Sequence, residues 1–194
     1  MIPRLVVASK NRDKISEIEA VLGGVGLVGE IVGGLEWPDV EETGATLEEN
    51  ALLKARAVME AVGLPAVADD TGLEVAALGG APGVETARYA GPDASYSDNV
   101  RHLLRELEGV EQREARFRTV MALVMPDGEE WLAEGVLDGV IAEVPRGSGG
   151  FGYDPVFEVE GTTLSEMGAE TKNTLSHRAR ALQSLAEMLG LGKT

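Results

Sequence analysis

Residues 5–24 read LVVASKNRDKISEIEAVLGG, and this stretch decides the fold class. Leu5-Val-Val-Ala8 is short, apolar and β-branched, as a buried strand should be. Asn11 can cap a helix over Arg12–Leu22, where Ile15, Ile18, Val21 and Leu22 recur on one face. Gly23-Gly24 is expected to stop that helix. A buried strand that turns directly into an amphipathic helix opens an α/β domain.

The remaining sequence keeps to that plan. Thr46 and Glu49 have capping-box spacing, and a helix is expected from there to about Ala61, ended by Gly63. Ala66–Ala68 reads as a short strand leading into Asp69-Asp70, and Ser97–Leu107 has helical spacing. Phe117–Met125 and Glu130–Leu137 flank the turn Pro126-Asp127-Gly128 as a β-hairpin, with β character continuing over Val140–Val144. A last helix is expected from Ser176. The fold class is therefore α/β with a mixed sheet, in one domain or two small lobes sharing a core.

Composition narrows the chemistry. The chain has 194 residues, 44% of them hydrophobic, so a core can form. There is no cysteine and there are two histidines, which excludes zinc–thiolate, iron–sulfur and multi-histidine sites. Any metal must be held mainly by oxygen, which suits magnesium or manganese. With 17 basic against 33 acidic residues the net charge is −16, a surface that repels a nucleic-acid polymer. No apolar run reaches bilayer length, and Met1-Ile-Pro-Arg lacks a signal-peptide layout, so a cytoplasmic protein without membrane association is expected.

Two motifs mislead. Gly147-Ser-Gly-Gly-Phe-Gly152 matches a dinucleotide fingerprint, but Pro155 would break the helix that must follow. Gly192-Lys193-Thr194 resembles the end of a phosphate loop, yet no chain remains to form its helix.

Other segments carry chemistry more credibly. Ser9-Lys10-Asn11-Arg12-Asp13-Lys14 joins the first strand to the first helix, where free N–H groups and cations would cradle phosphates; taken alone, it reads rather as a solvated turn with ordinary surface lysines. Glu41 and Glu42 precede a helix, where they would also serve its dipole. Glu49, Asn50 and Lys54 on that helix face either solvent or a ligand. Asp69 and Asp70, side by side, repel one another unless a cation compensates, and such pairs hold magnesium near phosphates. Thr71 follows them. In Phe151-Gly152-Tyr153-Asp154, glycines admit a flat ligand, Phe151 can stack on a base and Asp154 can accept from ring N–H groups. His177 and Arg178 put cations at a helix start, against the dipole, which an anionic or carbonyl-bearing ligand would offset. His102 reads as structural.

In order along the chain, Ala8-Ser-x-Asn11-x-x-Lys14, Glu41-Glu-Thr-Gly-x-Thr-x-x-Glu-Asn50, Ala68-Asp-Asp-Thr-Gly-Leu73, Leu78-Gly-Gly-Ala-Pro-Gly83, Ala87-Arg-Tyr-Ala-Gly91, Gly149-Gly-Phe-Gly-Tyr-Asp-Pro155 and Ser176-His-Arg178 resemble the inosine triphosphate pyrophosphatase family. The resemblance implies an elongated mixed sheet flanked by helices, two lobes with a central active-site cleft over residues 1–194, and a homodimer. It implies magnesium-dependent cleavage of non-canonical purine nucleoside triphosphates (inosine, deoxyinosine, xanthosine) to monophosphate and pyrophosphate, with manganese as a possible substitute. It assigns Ser9, Lys10, Asn11, Arg12, Asp13 and Lys14 to the phosphates, Glu41 and Asp70 to the metal, and Asp70 to general-base catalysis. Thr71 would lie beside the substrate. Phe151, Gly152, Tyr153, Asp154, Lys172, His177 and Arg178 would hold and read the base. Thr71 stands where the family often has serine, and Leu47 where an aromatic is common.

Overall fold

The computed structural model describes residues 1–190, so the Gly192-Lys193-Thr194 motif lies outside the described residues. The chain forms two compact units. The first comprises Met1–Asp70, Thr119–Gly135 and the chain from Ser176 onward; the second comprises Thr71–Arg118 and Val136–Leu175.

In the first unit, β1 (Ile2–Val7) leads through α1 (Arg12–Val25) to β2 (Val28–Ile31), and α2 (Leu47–Val62) leads to β3 (Ala66–Val75). β1 pairs in parallel with both β2 and β3, in register Leu5↔Ile31 and Val7↔Val67. Parallel neighbours need crossovers, and α1 and α2 supply them. β5 (Glu114–Val124) and β6 (Glu130–Ile141) follow β3 in the strand order, and α5 (His177–Met188) completes the unit. Its core joins Leu5 and Val7 of β1, Ile18, Val21 and Leu22 of α1, Met121 and Leu123 of β5, and Leu182 and Leu185 of α5.

The second unit contains the remainder of β3, β5 and β6, with β4 (Pro82–Gly83) antiparallel to β3, and β7 (Phe157–Val159) and β8 (Thr162–Thr163) continuing antiparallel from β6. α3 (Tyr96–Glu106) and α4 (Ala169–Leu175) belong to it. Its separate core packs Leu73, Val75, Val100, Leu103, Leu137, Ile141 and Tyr153 around Phe117 and Phe157, whose ring centroids are 4.5 Å apart. The sheet is mixed and helices flank it, the expected fold class. No helix among the described residues is long and apolar enough to cross a membrane.

Several boundaries differ from expectation. α1 runs through Gly23-Gly24 and ends only at Gly26, whose φ of 68° is the left-handed turn that closes a helix. Packing of Val21 and Leu22 carries the helix past a glycine pair that costs each position about 1 kcal/mol in propensity. Asp69 and Asp70 do not follow β3; they lie within it. Thr46 caps α2 as expected, but Glu49 reaches back to the Ala45 N–H (2.6 Å), one residue earlier than in a capping box. No helix follows Gly147–Gly152, in keeping with the rejection of the dinucleotide motif. The short elements β2, β4, β7, β8 and α4 carry too few residues for their periodicity to stand out.

Candidate active site

Residues adjacent in a strand point to opposite faces of the sheet. Asp69 and Asp70 therefore have different surroundings although they are neighbours, and their partners in the first unit bear this out.

Asp69 is buried among cations. Arg178 donates to its Oδ2 from Nη2 (3.0 Å) and Nε (3.2 Å), and the Lys14 ammonium stands 3.2 Å from the same oxygen. Arg178 also donates to Glu17. Burial would raise the carboxyl, but Lys14, Arg178 and Lys54 outweigh it and hold Asp69 far below the usual carboxylate range. α1, β3 and α5 are tied together by this group.

Asp70 meets a different environment. Asn50 Nδ2 donates to its Oδ2 (3.3 Å) and Lys54 Nζ to its Oδ1 (3.1 Å), both from α2. Lys54 simultaneously donates to Glu42 (2.6 Å). Burial, assisted by the Glu42 charge, pushes Asp70 above the usual range despite Lys54 and Lys14. Lys54 itself is raised: burial acts against its charge, but Asp70, Asp69 and Glu42 together prevail. Two adjacent carboxyls whose environments drive them apart are the pattern of an acid–base site. Asp70, the upshifted one, is the group fit to take a proton.

The loop that brings Glu42 to Lys54 is pinned to α2. Asn50 Oδ1 accepts from the Gly44 N–H (2.7 Å), and a Cβ on Gly44 would sit 2.7 Å from that same oxygen. Gly44 is thus required for the approach. Glu41, its neighbour once removed from Gly44 by Glu42 and Thr43, is exposed. Among the described residues, no group of three acidic or histidine side chains is arranged to hold a metal. The fit to magnesium is nevertheless good, because that ion takes one or two carboxylates and completes its shell with phosphate and water. Asp70 and Glu42, already bridged by an ammonium, are an all-oxygen pair of this kind.

The turn before α1 is more occupied than expected. Asn11 Oδ1 accepts from the N–H groups of Asp13 (3.0 Å) and Lys14 (3.3 Å), and Ser9 Oγ accepts from the Asn11 N–H (3.2 Å). Those N–H groups are not free for a ligand. Lys10 and Arg12 are exposed; Lys10 pairs with Asp39, which its hydrogen bond and charge hold below the usual range. Asp13 is exposed as well.

The expected base-binding loop belongs to the second unit. Asp154 Oδ2 accepts from the Phe151 N–H (2.8 Å) and from Lys172 Nζ (2.5 Å). Gly150, with φ of 71°, leaves no room for a side chain: a Cβ would fall 2.1 Å from Asp154 Oδ2. Lys172 Nζ lies 4.9 Å from the Phe151 ring centroid, and Tyr96 stacks obliquely at 5.8 Å. Gly152 and Thr71 are half-buried. Tyr153 turns inward instead, donating to the Thr86 carbonyl (2.9 Å) from within the core, and burial raises its hydroxyl. It anchors the loop.

His177 and Arg178 open α5 behind the Ser176 cap. The anions that offset Arg178 against the helix dipole are Asp69 and Glu17 of the protein itself. His177 is buried, with Nδ1 2.5 Å from Thr119 Oγ1. His102 packs edge-on against Tyr89, centroids 4.7 Å apart, as a structural residue would.

Sequence reasoning left Asn50 and Lys54 undecided and overlooked Glu17, Thr119 and Tyr96. Asn50 and Lys54 are four apart on one helix, a signal that they share a face. Glu17, Thr119 and Tyr96 meet Arg178, His177 and Phe151 through contacts remote in sequence.

A model of the Ham1 family matches residues 5–188. A dITP/XTP pyrophosphatase of Methylococcus capsulatus is 53% identical, over 96% of this chain and 96% of the relative. One from Symbiobacterium thermophilum is 51% identical, over 96% of this chain and 94% of the relative. Among solved structures, a HAM1 protein from Coxiella burnetii superposes with a TM-score of 0.83 at 39% identity, covering 97% of this chain and 99% of that one. A nucleoside-triphosphatase, or dITP/XTP pyrophosphatase, from Mycobacterium abscessus gives 0.74 at 43% identity, covering 96% and 99%. The matched span contains every candidate site residue, from Ser9 to Arg178, and the chain belongs to the Ham1 family.

Proposed function

We propose that the protein hydrolyses non-canonical purine nucleoside triphosphates, those of inosine, deoxyinosine and xanthosine, to the monophosphate and pyrophosphate, and so cleanses the nucleotide pool. The observation that carries this reading is the split between Asp69, locked as an anion by two cations, and Asp70, raised and poised beside Lys54. Its relatives named dITP/XTP pyrophosphatases supply the substrate class.

In this reading water attacks the α-phosphorus while Asp70 accepts its proton, the bond to the α,β-bridging oxygen breaks, and pyrophosphate leaves with that oxygen. Asp70, with Glu41 and its neighbour Glu42, would hold magnesium, which when bound would neutralise charge on the phosphates; manganese could substitute. Lys10, Arg12, Lys14 and Lys54 face the negative charge that builds on the leaving group, and Ser9, Asn11 and Asp13 order the turn that presents them. Thr71 contacts the substrate beside Asp70. Phe151 stacks on the base, Gly152 allows its approach, and Asp154 with Lys172 holds the loop and meets the ring. Tyr153 acts from the core, and Arg178, held by Asp69 and Glu17, opens the helix that carries His177.

A 6-keto oxygen accepts a hydrogen bond from His177, whereas adenine would set an amino group there and leave donors unpaired, a cost of roughly 1–3 kcal/mol. The protein acts in the cytoplasm as a homodimer. The deciding experiment is hydrolysis of inosine triphosphate with and without magnesium, assayed for pyrophosphate. Release of orthophosphate alone, or metal-independent turnover, would overturn the reading.

A further inference from the structure

We propose that the Lys54 ammonium is the resident occupant of the position between Asp70 and Glu42, and that it yields this position when a divalent ion binds. The inference rests on the reading given above, in which these carboxylates hold the metal.

The geometry lies wholly within the first unit. Lys54 Nζ donates to Asp70 Oδ1 at 3.1 Å and to Glu42 Oε1 at 2.6 Å. An ammonium only donates, so the direction of both contacts is fixed. It is a positive charge bridging two carboxylates, the place a magnesium ion would take. An ion about 2.0–2.1 Å from the same two oxygens would stand within a few ångströms of the ammonium. The side chains of Lys54 and Asp70 are only 12% and 9% exposed, so water screens their charges poorly and the two cations would repel.

The surroundings make the lysine the part that gives way. Asp70 lies within β3, and its Oδ2 accepts from Asn50 Nδ2 at 3.3 Å. The loop that carries Glu42 is pinned by the Gly44 N–H, which donates to Asn50 Oδ1 at 2.7 Å. Ala51, Ala55 and Val58 bury the face of α2 that packs. Lys54 reaches the carboxylates on a flexible four-carbon stem, so its head can swing without moving the helix.

Without a metal, the ammonium keeps the two acids from repelling one another. Once displaced, it is available to the phosphates that it faces in the proposed reaction. Binding of the metal and of the phosphates would then strengthen each other.

Manganese binding to the nucleotide-free protein, followed by electron paramagnetic resonance, tests the displacement without turnover. Lys54→Met should bind manganese about tenfold or more tighter than the wild type. Lys14→Met is the control for charge alone, because Lys14 pairs with Asp69 at 3.2 Å and does not bridge Asp70 to Glu42. It should stay within about threefold of the wild type. In the wild type, saturating magnesium should speed reductive methylation of Lys54 several-fold, read peptide by peptide by mass spectrometry. Lys54→Met binding no tighter than Lys14→Met would overturn the inference. So would a Lys54 methylation rate indifferent to magnesium, a measurement that needs no variant to fold. Asp70→Asn separates the two claims. If it binds manganese as the wild type does, the ion lies elsewhere and the metal reading falls together with the inference. If it loses binding while Lys54→Met gains none, the metal reading stands and the displacement alone is refuted.

Discussion

At the scale of single residues, the contrast between Asp69 and Asp70 makes the sharpest predictions. Asp70→Asn should cut turnover by about 10²–10⁴, the usual weight of a general base. It should not destabilise the protein comparably: a carboxyl raised by folding makes the folded state less stable as pH rises through its titration, and the amide abolishes that penalty. Asp69→Asn should do the opposite to the fold. It takes from buried Arg178 one of its two carboxylate partners, Glu17 remaining, and from Lys14 the carboxylate beside it, at a cost of about 1–3 kcal/mol. The Asp69 carboxyl is depressed on folding, so its stabilisation is complete above the ordinary value of 3.8 and is lost as pH falls through the lower folded value. Denaturant titrations should therefore show a gap between wild type and Asp69→Asn that is wide at neutral pH and closes only in strong acid. Equal stability of the two at neutral pH would remove Asp69 from its structural role. Adjacent aspartates were visible in the sequence as a pair; which of them is locked and which is available was not, because that depends on helices α1, α2 and α5 arriving at a strand from elsewhere in the chain.

At the scale of elements, the start of α2 is the most exacting join. Gly44, Thr46, Glu49 and Asn50 make a closed set of hydrogen bonds that place Glu42 over Lys54. Gly44→Ala puts a methyl 2.7 Å from Asn50 Oδ1 and from Glu49 Cβ. The loop must shift, and Asn50 is the residue that also steadies Asp70. The expected result is a higher magnesium requirement for half-maximal activity with secondary structure retained, read from a metal titration alongside circular dichroism. An unchanged requirement would separate the loop from the metal. By contrast, Gly26→Ala should cost about 1 kcal/mol of stability through its left-handed backbone and leave the metal titration alone. The caps at Asn11, Thr46 and Ser176 were readable from local sequence, since a cap needs only neighbouring residues. The end of α1 was not, because tertiary packing outweighed the propensity of Gly23 and Gly24.

At the scale of the whole molecule, the residues proposed for the chemistry fall in two units, each with its own core. The first contains the carboxylates and most of the cations at issue; the second contains Phe151, Asp154 and Lys172. That division predicts a division in kinetics. Phe151→Ala should raise KM for inosine triphosphate by about 5- to 150-fold, the loss of about 1–3 kcal/mol of stacking, with kcat little changed. Lys54→Met should lower kcat far more than it raises KM. A Phe151→Ala effect confined to kcat would refute the stacking role. Chelation of divalent ions should abolish turnover while leaving the unfolding temperature near that of the untreated protein, because Asp70 and Glu42 retain Lys54 as their counter-charge. A large drop in that temperature would mean a structural metal instead.

Legible without any coordinates were the fold class, the two helix starts that flank β1 and β3, the absence of thiolate and multi-histidine chemistry, and the family to which the ordered motifs point. These are local or compositional properties: a cap, a period, a missing residue type. Folding in three dimensions was needed to make Tyr153 a core anchor, to neutralise Arg178 with Asp69 and Glu17, to bridge Asp70 to Glu42 through Lys54, and to bring Thr119 to His177. Protonation and charge pairing in a buried site are set by whatever the fold brings within a few ångströms, and residues separated by tens or hundreds of positions carry no local trace of that meeting.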